Sequence, residues 1–150
     1  MTDARSAFVY VTYIRAAPER VWTALTDSSF IPRYWFGMTA TSEWRAGSSW
    51  RLTFEDGRVA DAGEIVEADP PKKIVIKWKN EFRPELSAEG PALCTFTLEP
   101  EAQATKLTVL HEIGVADSKF IVAVSGGWPK ILSNLKSLLE TGEIALKPAA

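Results

Sequence analysis

The chain has 150 residues, 46% of them hydrophobic, with 17 lysines and arginines against 19 aspartates and glutamates and a net charge of −2. That length and apolar share suit one domain around one buried core, and the slight acidity excludes a basic footprint for nucleic acid or an anionic membrane surface. One cysteine, Cys94, leaves no intrachain disulfide to form, and the longest apolar run, residues 120–124, is too short to cross a bilayer.

The opening residues Met1-Thr2-Asp3-Ala4-Arg5 lack the apolar stretch of a signal peptide, so the expected location is cytoplasmic. Residues 6–15 are rich in β-branched and aromatic side chains and read as a strand. Pro18 opens a helix over 18–25, with Glu19 complementing its dipole and Val21, Trp22 and Leu25 on one apolar face. Asp27-Ser28-Ser29 ends it and caps a second short helix over 30–34, which Gly37 stops.

A run of strands follows. Residues 39–44 are short. Residues 48–55 alternate, with Trp50, Leu52 and Phe54 on one face, and Asp56-Gly57 signals a hairpin. Residues 58–68 lead to the breaker Asp69-Pro70-Pro71. Residues 73–80 place Ile74, Ile76 and Trp78 on one face and Val75, Lys77 and Lys79 on the other, the pattern of a half-buried antiparallel strand. Residues 81–91, with Arg83-Pro84, Gly90 and Pro91, read as a mobile loop. Cys94, Phe96 and Leu98 share a face of 93–99, and Leu107, Val109, His111 and Ile113 share a face of 106–113.

The last element is the longest. Asp117 is placed to cap a helix running to about Glu140, with Phe120, Val124, Gly127, Ile131, Leu135 and Leu138 at steps of three and four. Thr141-Gly142 ends it, and the tail to Ala150 reads as loose. The assembled expectation is an α+β fold in one domain spanning 1–150, with an ordered core of about 6–143: an antiparallel sheet burying its apolar face on the C-terminal helix. Patterning alone does not decide whether that interior is filled or hollow.

Several stretches resemble a known family. Residues 17–27 (APERVWTALTD) are similar to the first helix of START-like (SRPBCC, or Bet v 1-like) domains, and in particular to homologues of the activator of the 90-kDa heat-shock protein's ATPase. Residues 33–37 (RYWFG), residues 63–71 (GEIVEADPP) with Trp78, and Gly127-Trp128 followed by Leu135, Leu138 and Leu139 carry the same resemblance, which covers roughly residues 8–143. Two turns depart from the family pattern: Gly47-Ser48-Ser49 and Gln103-Ala104-Thr105. The resemblance implies a helix-grip fold, a curved sheet wrapped on the long helix, with a cavity between them; relatives include lipid and hormone carriers and polyketide cyclases. It also implies a chaperone partner, although 150 residues leave no room for the additional chaperone-docking domain of the eukaryotic activator.

The expected function is to hold a small hydrophobic or amphipathic molecule in that cavity. Trp35, Trp50, Phe54 and Trp78 are candidate ligand contacts, with Phe96, His111, Gly127 and Trp128; the same aromatics equally suit a filled core. His111, the single histidine, should point inward, either to orient a ligand and carry protons or as a satisfied core residue. Asp61 is the other candidate acid or base, but its strand parity leaves its direction open. Gly126-Gly127 inside the long helix costs about 1 kcal/mol per glycine and asks for a packing or ligand reason. One cysteine and one histidine make no zinc set, and no phosphate-cradling loop or nucleophile elbow is present, so no metal or cofactor is expected. An alternative is a cyclase- or hydratase-like enzyme using His111. Another is a chaperone or stress-response co-factor acting through its surface, and an exposed edge strand could pair two copies.

Overall fold

The computed structural model describes residues 5–147; Met1-Thr2-Asp3-Ala4 and the tail from Pro148 lie outside the described residues. Seven strands, β1 (Ser6–Ile14), β2 (Thr39–Ser42), β3 (Ser49–Thr53), β4 (Val59–Asp69), β5 (Lys73–Asn80), β6 (Ala92–Glu101) and β7 (Ala104–Ile113), form one antiparallel sheet. Their order is β1-β7-β6-β5-β4-β3-β2, so β1 returns beside the last strand and only β1 and β2 are edges. The helices are α1 (Pro18–Thr26), α2 (Pro84–Ser87) and α3 (Lys119–Thr141). The architecture is the α+β helix-grip arrangement, with a single-layer sheet whose inner face packs on α3.

Alternation explains the faces. Trp50 and Leu52, then Ile74, Ile76 and Trp78, then Cys94, Phe96 and Leu98, then Leu107, Val109 and Ile113 are all buried, as period-two side-chain placement requires. The helix is 23 residues long, about 34 Å at 1.5 Å per residue, enough to run the length of the sheet. Ile131, Leu132, Leu135, Leu138 and Leu139 bury its lower half against the sheet. Gly142 takes φ +86° at the C-terminus, the left-handed cap that glycine adopts without strain.

Four sequence expectations are corrected. The second short helix is a single 3-10 turn, Ile31–Arg33, after which the chain turns away through Phe36 and Gly37, both at positive φ. The cap of α3 is Ser118, whose hydroxyl accepts from the Ile121 N–H at 3.1 Å, whereas Asp117 sits one residue early at φ +52°. The loop 81–91 contains α2, with Leu86 buried and Pro84 at its first position. The chain after α3 is not loose up to Leu146. Buried Asn134 donates to the Leu146 carbonyl at 3.2 Å and accepts its N–H at 2.7 Å.

Gly63 is fixed by its surroundings. It pairs with Trp50 on one side and Trp78 on the other, and a Cβ there would lie 1.7 Å from the Lys77 carbonyl oxygen. With no side chain between them, the indoles of Trp50 and Trp78 meet with ring centroids 4.3 Å apart.

Candidate functional site

Two rows of paired residues cross the inner face at the β2–β5 end of the sheet. One is Leu52–Asp61–Asn80 and the next is Trp50–Gly63–Trp78–Ala92. Asp61 shares the inward parity of Gly63 and buried Ile65, and the strand is bulged on both sides of this stretch: Thr53 pairs with Val59 and Leu52 with Asp61, so Ala60 is an extra residue, and Val66 is another between Ile65 and Glu67. Each bulge shifts the alternation, so parity read from Val59 or Val66 does not carry to Asp61.

Above these rows the sheet and α3 part to leave a cleft of about 290 Å³. Its floor is Leu52, Asp61, Trp78 and Asn80, and its roof is Phe120, Val124, Gly127 and Trp128 on α3. Trp35 and Met38 close one side; Phe82, Arg83 and Leu86 from the α2 segment close the other, with Phe54 at the hairpin. The roof is held by Glu89, whose carboxylate accepts from the Ser118 hydroxyl at 2.5 Å and from the Lys119 and Phe120 N–H groups at 2.8 and 3.3 Å. Burial pushes the Glu89 pKa up, but these bonds and the Lys119 charge more than offset it and hold the group below its ordinary value.

Asp61 is 6% exposed. Its Oδ1 accepts from Asn80 Nδ2 at 2.9 Å, and Asn80 Oδ1 in turn accepts the Arg83 N–H at 2.9 Å, so a short relay fixes the carboxylate. Burial raises the Asp61 pKa to about 6; the neighbouring Trp78 indole and the Asn80 amide pull it down, and the charge of Glu81 pushes it up. Trp78 Nε1 completes no hydrogen bond, so its pull is that of a nearby N–H dipole, and the formed bond is the one from Asn80.

Towards β7 the interior is closed. His111 is 0% exposed and points inward, as its strand parity requires. Trp128 Nε1 donates to His111 Nδ1 at 3.1 Å, and since an indole nitrogen only donates, the imidazole is neutral with its proton on Nε2. Nε2 meets no partner. Trp78 and Phe120 flank the imidazole at 5.0 Å each. Burial lowers its pKa to about 3, so it stays neutral across the physiological range.

Of the residues picked from sequence, Trp35, Phe54, Asp61, Trp78, Gly127 and Trp128 line the cleft. Trp50, Phe96 and His111 do not: Trp50 lies under Trp78, while Phe96 and His111 lie behind Trp128. His111 therefore lies beneath the cleft's wall, behind Trp128, and does not face the cleft. Gly127 faces the cleft, and an added Cβ would only touch Ile131 Cδ1 at 3.9 Å, so a close helix–sheet approach is not what requires it. Among the lining residues that sequence reasoning did not pick as site residues are Asn80 and Leu86. Strand parity continued from Ile74, Ile76 and Trp78 points at Asn80; Pro84-Glu85 opening a helical turn was the signal for Leu86.

Among the described residues no three histidine, cysteine, aspartate or glutamate side chains gather as a metal set, and no helix is long and apolar enough to cross a membrane.

Solved structures share this fold. MLL2253 from Mesorhizobium loti superposes with a TM-score of 0.78 at 22% identity, covering 93% of this chain and 100% of that one. The Aha1 dimer from Colwellia psychrerythraea gives 0.74 at 20% identity over 91% and 98%. PFC0360w, an HSP90 activator from Plasmodium falciparum, gives 0.71 at 23% identity over 89% and 96%. At these identities the likeness shows the fold alone. No curated protein matches the chain by sequence. A family model does, over residues 15–140, from the first strand's end through nearly all of α3. The chain therefore belongs to the family of activator of Hsp90 ATPase homolog 1-like proteins.

Proposed function

We propose that this chain, as one domain, binds a small apolar or amphipathic molecule in the cleft between β3–β5 and the upper half of α3. One observation carries the reading: about 290 Å³ of space lined by aromatic and aliphatic side chains, with a fixed carboxylate on its floor. Small-molecule sites combine mostly apolar walls with a few placed polar groups, and occupy roughly 300–1,000 Å³. At the lower edge of that range the cleft suits a monocyclic or bicyclic ligand better than a sterol or long acyl chain.

The test is thermal unfolding against a panel of small aromatic and alicyclic compounds, alongside Gly127→Leu, which fills the cleft from its roof. A ligand at about 100 times its Kd adds roughly 2.7 kcal/mol, or about 5–11 °C for a domain of this size. A rise in the native chain that Gly127→Leu abolishes supports the reading; a panel flat in both removes it.

A second reading, a chaperone co-factor, is favoured by the family and by the HSP90 activator among the similar structures. It predicts that the chain changes a 90-kDa chaperone's ATPase rate whether or not the cleft is filled. Pairing of two copies is supported by the similar Aha1 dimer and by the edge strand β1, which exposes Val9, Val11 and Tyr13.

A further inference from the structure

We propose that the cleft selects a hydrophobic amine: a ligand with a compact aryl or alkyl body and one protonated nitrogen that sits on the open oxygen of Asp61. The inference rests on the cleft reading above and names its ligand class.

The polar inventory of the cleft is short. Besides the Trp78 indole N–H that acts on Asp61, only Asp61, Asn80 and Arg83 interrupt the apolar lining. Asn80 is committed at both ends, to Asp61 and to the Arg83 N–H. The Arg83 guanidinium is turned to Glu85, with Nε 2.8 Å from Oε1, so it neutralises that carboxylate rather than Asp61. Asp61 forms no ion pair with any described residue, and its Oδ2 accepts no hydrogen bond. The groups packed around it add no cation. The residues that α3 turns to the cleft are Phe120, Ala123, Val124, Gly127, Trp128 and Ile131, and the charge nearest along the chain from Asn80 is Glu81.

A buried carboxylate without a counter-ion is costly, and in an apolar site the cost falls when a cation arrives. A ligand alcohol would give it one hydrogen bond and leave the charge. A ligand carboxylate would face it with like charge. An ammonium would neutralise it through a charge-assisted bond, and Trp35, Trp78 and Trp128 line the same cleft with indoles, whose ring faces attract a cation. At pH 7 Asp61 is still mostly ionised, since its pKa is raised only to about 6.

The experiment uses three probes of one skeleton, 4-phenylbutylamine, 4-phenylbutanol and 4-phenylbutyrate, titrated calorimetrically at pH 7.5 into the native chain, Asp61→Asn and Gly127→Leu. Asp61→Asn keeps the acceptor for Asn80 and so keeps the floor intact. The amine is expected to bind the native chain about 10- to 100-fold more tightly than the alcohol, and the carboxylate most weakly. Asp61→Asn should erase that advantage while leaving the alcohol's affinity within about threefold. Lowering the pH through 6 should weaken the amine alone. If alcohol and amine bind equally, and Gly127→Leu abolishes both, the cleft stands and the amine inference falls. If no probe binds the native chain, the cleft reading fails and takes the inference with it.

Discussion

The two ends of the sheet–helix interface treat a buried titratable side chain in opposite ways. Towards β7, His111 is sealed: Trp128 donates to it, aromatic rings flank it, and burial holds it neutral with a pKa of about 3. Towards β3, Asp61 is nearly as buried but faces space, and its pKa rises to about 6. Both shifts arise from desolvation, yet only one group has room beside it for a second molecule. Burial of a charge-bearing residue marks a candidate site only when a cavity accompanies it.

The largest expected effect strikes the closed end. Trp128→Ala should cost about 3–5 kcal/mol in urea unfolding, because it opens a void and leaves His111 Nδ1 without its donor. A loss under about 1 kcal/mol would mean that this end is not packed as described and that the contrast between the ends is false.

The open end should respond with the opposite sign. The Asp61 pKa is higher in the folded chain than its ordinary 3.8, so the folded state binds the extra proton between pH 3.8 and 6. The stability that Asp61 contributes is present below pH 3.8 and is lost as pH rises through 6, a difference of about 3 kcal/mol. Asp61→Asn should therefore raise stability at pH 7 by up to that amount, and the gain should vanish by about pH 4. His111 runs the other way: its contribution is present above 6.5 and is lost as pH falls towards 3. The variant should accordingly lose stability below pH 6.5 more steeply than the native chain, with unfolding at pH 7.5, 5 and 4 as the check. A variant less stable than the native chain at pH 7 would show that Asp61 holds the fold rather than serving the cleft.

The smallest effect sharpens the comparison along α3. Gly126 is exposed and a Cβ there meets nothing within 4 Å, so Gly126→Ala should add about 0.5–1 kcal/mol from helix propensity alone. A destabilised variant would show that the helix needs glycine's freedom above the cleft.

Much of this contrast was readable in the residues, and the failures have physical causes. Period two placed Trp78 and His111 on the inner face, and the three-four spacing of Phe120, Ile131, Leu135 and Leu138 identified the buried stripe of α3. Inward direction did not tell which residues meet empty space. Trp50, Phe96 and His111 point inward as surely as Trp78, but Trp78 and Trp128 themselves cover them. Asp61 was undetermined because extra residues at Ala60 and Val66 break the alternation on either side of it, and bulges of this kind leave no mark in the pattern. The α2 segment read as loop because α2 itself, Pro84–Ser87, is one turn with a single leucine, and the contact that orders it, Glu89 on the first turn of α3, joins residues 29 to 31 positions apart.

The position of Pro129 has a mechanical consequence. It stands inside α3, just below Gly126-Gly127, and has no N–H to give to the Ser125 carbonyl. The ladder of the helix is thus notched between the turn that roofs the cleft and the turns that pack on the sheet. Upstream, Glu89 and Ser118 clamp the first turn to the α2 segment; downstream, the leucines anchor the rest. A rod pinned at both ends and weakened at its middle yields at the notch first, and under the proposed ligand reading that is where the roof would give way.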